Sequence, residues 1–171
     1  MMKVTLLRVP TEEDWLRCKQ LALVTVGKNA ITPPTQEWKK KLLTCEHSPI
    51  RTLMFTISME VPYWVSVHYV RHKYGVEHFV RSQRTDRTGE DRNEKRQDET
   101  VTHIMDVNAQ ELIFMARRRL CGMASRETRE VMQEIVRQVV EACPEFEGVL
   151  VRNCKYMGRC PEMNNDGCSL K

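Results

Sequence analysis

Between Arg71 and Arg84 the chain reads RHKYGVEHFVRSQR, its densest run of side chains able to bind or transform an anion. The run opens on three consecutive basic residues, Arg71, His72 and Lys73. The planar fork of an arginine donates two parallel hydrogen bonds to a phosphate, whereas a lysine offers a point charge. A purely structural account competes with this one, because basic side chains at the end of a helix also interact favourably with its dipole. The run closes on Ser82-Gln83-Arg84. In extended chain, residues two apart share a face, so the Ser82 hydroxyl and the Arg84 guanidinium can reach one phosphate or one pyrimidine edge. A basic triplet followed closely by S-x-R is more specific than either feature alone.

Three further groups carry possible chemistry. Arg117-Arg118-Arg119 cannot all face one way on a helix, since each residue turns by about 100°; Arg119 is the one taken as functional. Cys143, Cys154, Cys160 and Cys168 crowd the C-terminus, the last three spaced C-x5-C and C-x7-C. That spacing is looser than most zinc or iron–sulfur ligand pairs, though irregular cysteine sites occur. A zinc ion or iron–sulfur cluster there stands against simple thiols on a loose tail. Cys18, Cys45 and Cys121 sit among apolar residues and read as buried thiols. His78 and His103 are isolated in the sequence, and a satisfied structural role is expected for both.

The elements that must position these residues follow from capping and periodicity. Val4–Val9 reads as a first strand. Thr11, with Asp14 three residues on, caps a helix over 12–25, and Thr35 caps a shorter one carrying Trp38, Leu42 and Leu43. His47-Ser48-Pro49 is a turn. Residues 52–61 alternate, with Leu53, Phe55, Ile57, Met59 and Val61 on one face, which predicts a half-buried strand. Pro62 opens a helix to about His72, and Gly75 ends it. Residues 85–100, TDRTGEDRNEKRQDET, nearly lack apolar side chains and read as a solvated or mobile loop. A strand over 101–107 precedes a helix capped by Asn108 with Glu111. Ser125 caps a last long helix with an apolar stripe through Val131, Ile135 and Val139. Together these predict a single α+β domain with a mainly antiparallel sheet flanked by helices.

The chain has 171 residues, 41% hydrophobic and 29% charged, with a net charge of +4. No apolar run approaches the roughly 20 residues that span a bilayer. The N-terminus lacks a small-residue cleavage site, so a cytoplasmic protein is expected. The charge is too mild to suggest nucleic-acid binding; clustered arginines at 71–96 and 117–119 suit a small phosphate-bearing ligand instead.

On these residues the chain resembles the flavin-dependent thymidylate synthases. That family carries R-H-R, a spacer and S-x-R; here Arg71-His72-Lys73 and Ser82-Gln83-Arg84 take those places. His47-Ser48-Pro49, the following strand and YWVSVHYV resemble the segment leading into the motif. Asn108-Ala109, Leu112, Arg119, Glu127 and Arg129 resemble the family's later helix pair. The resemblance spans roughly residues 15–140 and implies a synthase-like domain over 1–150, followed by a Cys-rich tail over 151–171.

The resemblance implies a homotetramer with active sites at subunit interfaces. FAD would be held by Ser48, Arg71, His72, Lys73 and Asn108. The nucleotide, dUMP or a related pyrimidine nucleotide, would be held by His68, Ser82, Arg84 and Arg119, with Arg119 also the catalytic residue. The implied reaction is reductive methylation of dUMP to dTMP, with methylenetetrahydrofolate as carbon donor and NADPH reducing the flavin. Two alternatives keep part of this reading: methylation or hydroxymethylation of another pyrimidine nucleotide, or a non-catalytic nucleotide- or RNA-binding protein. The chain departs from the family at Lys73, an arginine there, and at Gln110 and Phe114. Its spacer, residues 74–81, is one residue longer. The segment at 85–107 is short, and Arg87, Arg92 or Arg96 is left to replace a nucleotide-binding arginine.

Overall fold

The computed structural model describes residues 2–170. Four strands form one sheet: β1 (Lys3–Arg8), β2 (Met54–Pro62), β3 (Val76–Val80) and β4 (Thr100–Asn108), in the order β1-β2-β4-β3. Every neighbouring pair is antiparallel. The helices are α1 (Glu12–Val24), α2 (Gln36–Thr44), α3 (Tyr63–Val70), α4 (Thr85–Thr88), α5 (Ala109–Arg119), α6 (Arg126–Ala142) and α7 (Asn153–Met157). The expected α+β class is what forms.

The alternation read in the sequence sets the core. Phe55, Ile57, Met59 and Val61 of β2 are fully buried, joined by Met105 and Val107 of β4. Phe146, just past α6, meets Phe55 edge to face with ring centroids 5.3 Å apart. The stripe of α6 supplies Val131, Met132, Ile135 and Val139. Gln138 on the same helix accepts from the Leu6 N–H and donates to the Val4 carbonyl, both at 2.9 Å, tying α6 to the edge strand β1. Caps fall where the sequence places them: Thr11, Thr35, Asn108 and Ser125 each accept a backbone N–H from the third residue on.

Two segments differ from expectation. The spacer between the basic triplet and S-x-R contains an edge strand, β3, paired with β4 from Val76↔Val107 to Val80↔His103. Its alternation is concealed because one inward position is His78 rather than an apolar residue. Residues 85–100 are mostly exposed, as expected, but hold α4 and a 3-10 turn over Arg92–Glu94. Their backbone also starts α3: Tyr63 and Trp64 donate their N–H groups to the carbonyls of Glu99 and Gln97. Pro62 gives that helix no side-chain cap, so these carbonyls satisfy two of its first donors.

Gly75 turns the chain from the triplet into β3. Its φ is +72°, and a Cβ there would lie 2.4 Å from Nδ2 of Asn108. Its carbonyl also accepts the Asn108 N–H at 2.8 Å. Gly75→Ala is expected to cost about 1–2 kcal/mol for the left-handed backbone alone, with a further loss as Asn108 is displaced. Gly27→Ala, at φ +69° with nothing within 4 Å, pays only the backbone part. Urea midpoints for the two variants would show the difference; equal midpoints would remove the role given to Asn108. No helix among the described residues is long and apolar enough to cross a membrane.

Candidate functional site

The triplet sits where α3 ends, with Arg71 as its C-cap residue. On one side of it lies a cavity of about 710 Å³. Its walls come from α3, from the triplet, from Arg81, Ser82, Gln83 and Arg84, and from the turn at 92–97. Arg71, Lys73, Arg81, Arg84, Arg92, Lys95 and Arg96 all line it, and no Asp or Glu does. Just outside, Asp86 pairs with Arg84, Asp98 with Arg96, and Glu90 and Glu99 with Lys95. Arg71, Lys73 and Arg92 have no ion-pair partner among the described residues, and Arg81 acts on Glu90 only through its charge. Uncompensated cations around one cavity make a potential that an anion relieves.

A second cavity, of about 570 Å³, lies across the triplet and also touches Arg71 and Lys73. Arg119, Phe114 and the C-terminal tail residue Glu162 all line it. Arg119 is held from behind. Its Nε lies 3.0 Å from Nε2 of His72, and Nη2 donates to the His68 carbonyl at 2.6 Å. A guanidinium only donates, so Nε2 of His72 accepts and the ring proton is on Nδ1, directed at Oε1 of Glu111, 2.7 Å away. Glu111, His72 and Arg119 thus form an ordered chain. Burial, with the charges of Arg71 and Arg118 against it, pulls Arg119 below the usual arginine range, while Tyr69 opposes them.

The expected site residues separate into groups. Ser82 and Arg84 join Arg71 and Lys73 on the first cavity; the Arg84 N–H also donates to the Ser82 hydroxyl at 3.2 Å. Arg119 is in the second cavity, so one chain does not bring it together with S-x-R. His72 is buried, its two ring nitrogens directed at Glu111 and Arg119. His68 turns to α6, with Nδ1 2.8 Å from the Thr128 hydroxyl, and lines neither of these cavities. Its pKa is lowered by burial and then by Arg119 and Arg71. Asn108 is taken up in capping α5, where Oδ1 accepts the Glu111 N–H at 2.9 Å. Ser48 is exposed and lines neither cavity. For a flavin pyrophosphate, then, Arg71 and Lys73 fit, as uncompensated cations between two cavities.

Of the three candidate replacement arginines, Arg92 and Arg96 reach the first cavity and Arg87 does not line it. Arg96 is committed to Asp98, which leaves Arg92. Arg117 is committed to Glu46 and lies over the Tyr156 ring of α7. Arg81 has no signal of its own in the sequence beyond adjoining Ser82, and Glu111 reads there only as the partner of Asn108 in the α5 cap; the fold alone puts it beside His72. In the tail, no three His, Cys, Asp or Glu side chains among the described residues gather to hold a metal ion. Cys143 is buried at the end of α6, its thiol pushed up to about 12 by burial and then by Glu145. Cys168 packs instead against Gly122, where a Cβ would come within 2.6 Å of its sulfur.

His78 and His103 are not isolated in space: Nδ1 of His78 lies 2.9 Å from Nε2 of His103. Burial, then His78, pushes His103 down to about 4 from an ordinary 6.5. The unfolded chain takes up that proton near pH 6.5 and the folded chain only near pH 4, so between them the unfolded state binds more protons. The stability due to the unprotonated ring is complete above about pH 6.5 and is lost as pH falls toward 4, by on the order of 3 kcal/mol. Urea midpoints at pH 7 and 4.5 should show this loss, and a His103→Gln variant should lose less across the same range. An equal loss in both would assign it to other groups.

We found no family model and no curated protein that matches the chain. Among solved structures, the fold is similar to the crystal structure of a UMP/dUMP methylase, PolB, from Streptomyces cacaoi, bound with 5-Br dUMP. The TM-score is 0.66 at 13% identity, over 87% of this chain and 94% of that one. At that identity the likeness establishes the fold.

Proposed function

We propose that this chain binds a pyrimidine nucleoside monophosphate, dUMP or UMP, and methylates its base. The observation that carries this reading is the first cavity, lined by seven cations and no acid, on a fold shared with a UMP/dUMP methylase. Ser82 and Arg84, with Arg81 and Arg92, take the nucleotide phosphate through charge-assisted hydrogen bonds. Arg71 and Lys73 would hold the pyrophosphate of FAD, which, once reduced by NADPH, would supply the hydride that turns the methylene group given by methylenetetrahydrofolate into a methyl group. Arg119 offers a fixed positive charge to the uracil carbonyl edge, where negative charge develops. Because Arg119 and S-x-R line different cavities, a neighbouring copy in a homotetramer supplies the S-x-R pair to the site that Arg119 serves.

Calorimetric titration with dUMP, UMP and inorganic phosphate tests the binding half of this reading. Either nucleotide should bind at least tenfold tighter than inorganic phosphate, and Arg84→Ala should reduce that advantage. Equal affinity for all three ligands would leave a generic anion site and end the nucleotide reading.

A further inference from the structure

A file of polar side chains, Ser66 and His103 buried and His78 half-buried, runs from α3 to β3 behind the first cavity. His103 on β4 is fully buried, between Met59 and Val80 in the strand register. Its Nδ1 lies 3.0 Å from the hydroxyl of Ser66 on α3. Its Nε2 lies 2.9 Å from Nδ1 of His78 on β3, whose own Nε2 lies 2.9 Å from the His72 carbonyl. An imidazole buried in a sheet is tolerated only when its polar atoms are bonded, and here both are.

The far end of the file sets its direction. A carbonyl only accepts, so Nε2 of His78 carries a proton, and in the neutral ring its Nδ1 presents a lone pair. Nε2 of His103 must then donate to His78, which leaves Nδ1 of His103 as an acceptor for the Ser66 O–H. The low pKa that burial gives His103 keeps the ring in this one-proton form at neutral pH. The Ser66 proton is therefore committed inward. Ser66 is 1% exposed yet is among the residues lining the cationic cavity, and with its proton spent on His103 its oxygen has only lone pairs left. A phosphate oxygen finds no proton there; a ligand hydroxyl or N–H finds an acceptor.

We infer that Ser66, oriented by His103 and His78, is the hydrogen-bond acceptor of the cationic cavity and selects phosphate-bearing ligands that present a hydroxyl or imide N–H donor. This deepens the nucleotide reading and rests on it for the identity of the ligand. The cations bind the phosphate end, and Ser66 reads either a sugar hydroxyl or the base N–H at the other.

Two measurements on the full chain test it. Long-range ¹H–¹⁵N correlation on protein labelled at histidine should find the proton on Nε2 of both His103 and His78. Titration of wild type and Ser66→Ala with dUMP, ribose 5-phosphate and inorganic phosphate should show dUMP weakened roughly tenfold by the variant, with inorganic phosphate unchanged. Ser66→Thr, which keeps the hydroxyl, should recover the affinity. A loss shared by ribose 5-phosphate assigns the donor to the sugar; a loss confined to dUMP assigns it to the base. A proton on Nδ1 of His103, or a Ser66→Ala variant that binds dUMP like wild type, overturns the inference. If wild type binds dUMP no better than inorganic phosphate, the nucleotide reading falls, and the direction of the file is decided by the histidine protons alone.

Discussion

Replacing Arg71 with alanine is expected to weaken binding of FAD by roughly ten- to a hundredfold, the range set by losing one or two charge-assisted hydrogen bonds, with a smaller loss for dUMP. Arg71 lines both cavities and has no ion-pair partner among the described residues. Its side chain is exposed, so the thermal midpoint should hardly move. Arg87→Ala is the matched control: it removes an equal charge from the same region, and Arg87 lines neither cavity. Equilibrium titration of both variants with each ligand decides the matter. If Arg71→Ala loses no more affinity than Arg87→Ala, the cavities bind through net charge alone and the triplet has no special part.

Replacing Glu111 with alanine should damage both stability and turnover. The carboxylate is buried and accepts the His72 Nδ1–H. Without it a buried donor is left unpaired, at about 1–3 kcal/mol, and the ring loses the bond that aims Nε2 at Arg119. Arg119 would keep its bond to the His68 carbonyl and lose its second anchor. Glu111→Gln keeps an acceptor oxygen while removing the charge, so it should fall between wild type and Glu111→Ala. The pair separates orientation from electrostatics: turnover in Glu111→Gln tracks how much the negative charge behind His72 matters. A Glu111→Ala variant with wild-type stability and turnover would show that the Glu111–His72–Arg119 chain does not position the guanidinium.

What the sequence reveals here follows the range of the interactions. The strand at 54–62 was legible because one face is continuous apolar side chain, and its burial needs no knowledge of the partner. The caps at Thr11, Thr35 and Ser125 were legible because each bonds within three residues. β3 was concealed because its inward His78 is explained only by His103, 25 positions away. The helical start at Tyr63 depends on carbonyls of Glu99 and Gln97, and no local motif announces such a backbone contact. Within the candidate site, charge density led to the stretch that lines the first cavity. The division of labour inside it did not show: His72 reads as one of three cations, yet in the fold it is the buried link between Glu111 and Arg119. Arg81 became a candidate only once β3 brought it to the first cavity, and Arg92 was separated from Arg87 and Arg96 only by the fold.

The account turns on methyl transfer to a pyrimidine nucleotide. Its most direct test is mass spectrometry of dUMP and of UMP after incubation with the purified chain, FAD, NADPH and methylenetetrahydrofolate. The account predicts that at least one nucleotide gains the mass of a methylene group, and that Arg119→Ala abolishes the gain while FAD stays bound. A folded, FAD-loaded chain that leaves both nucleotides unchanged would contradict it.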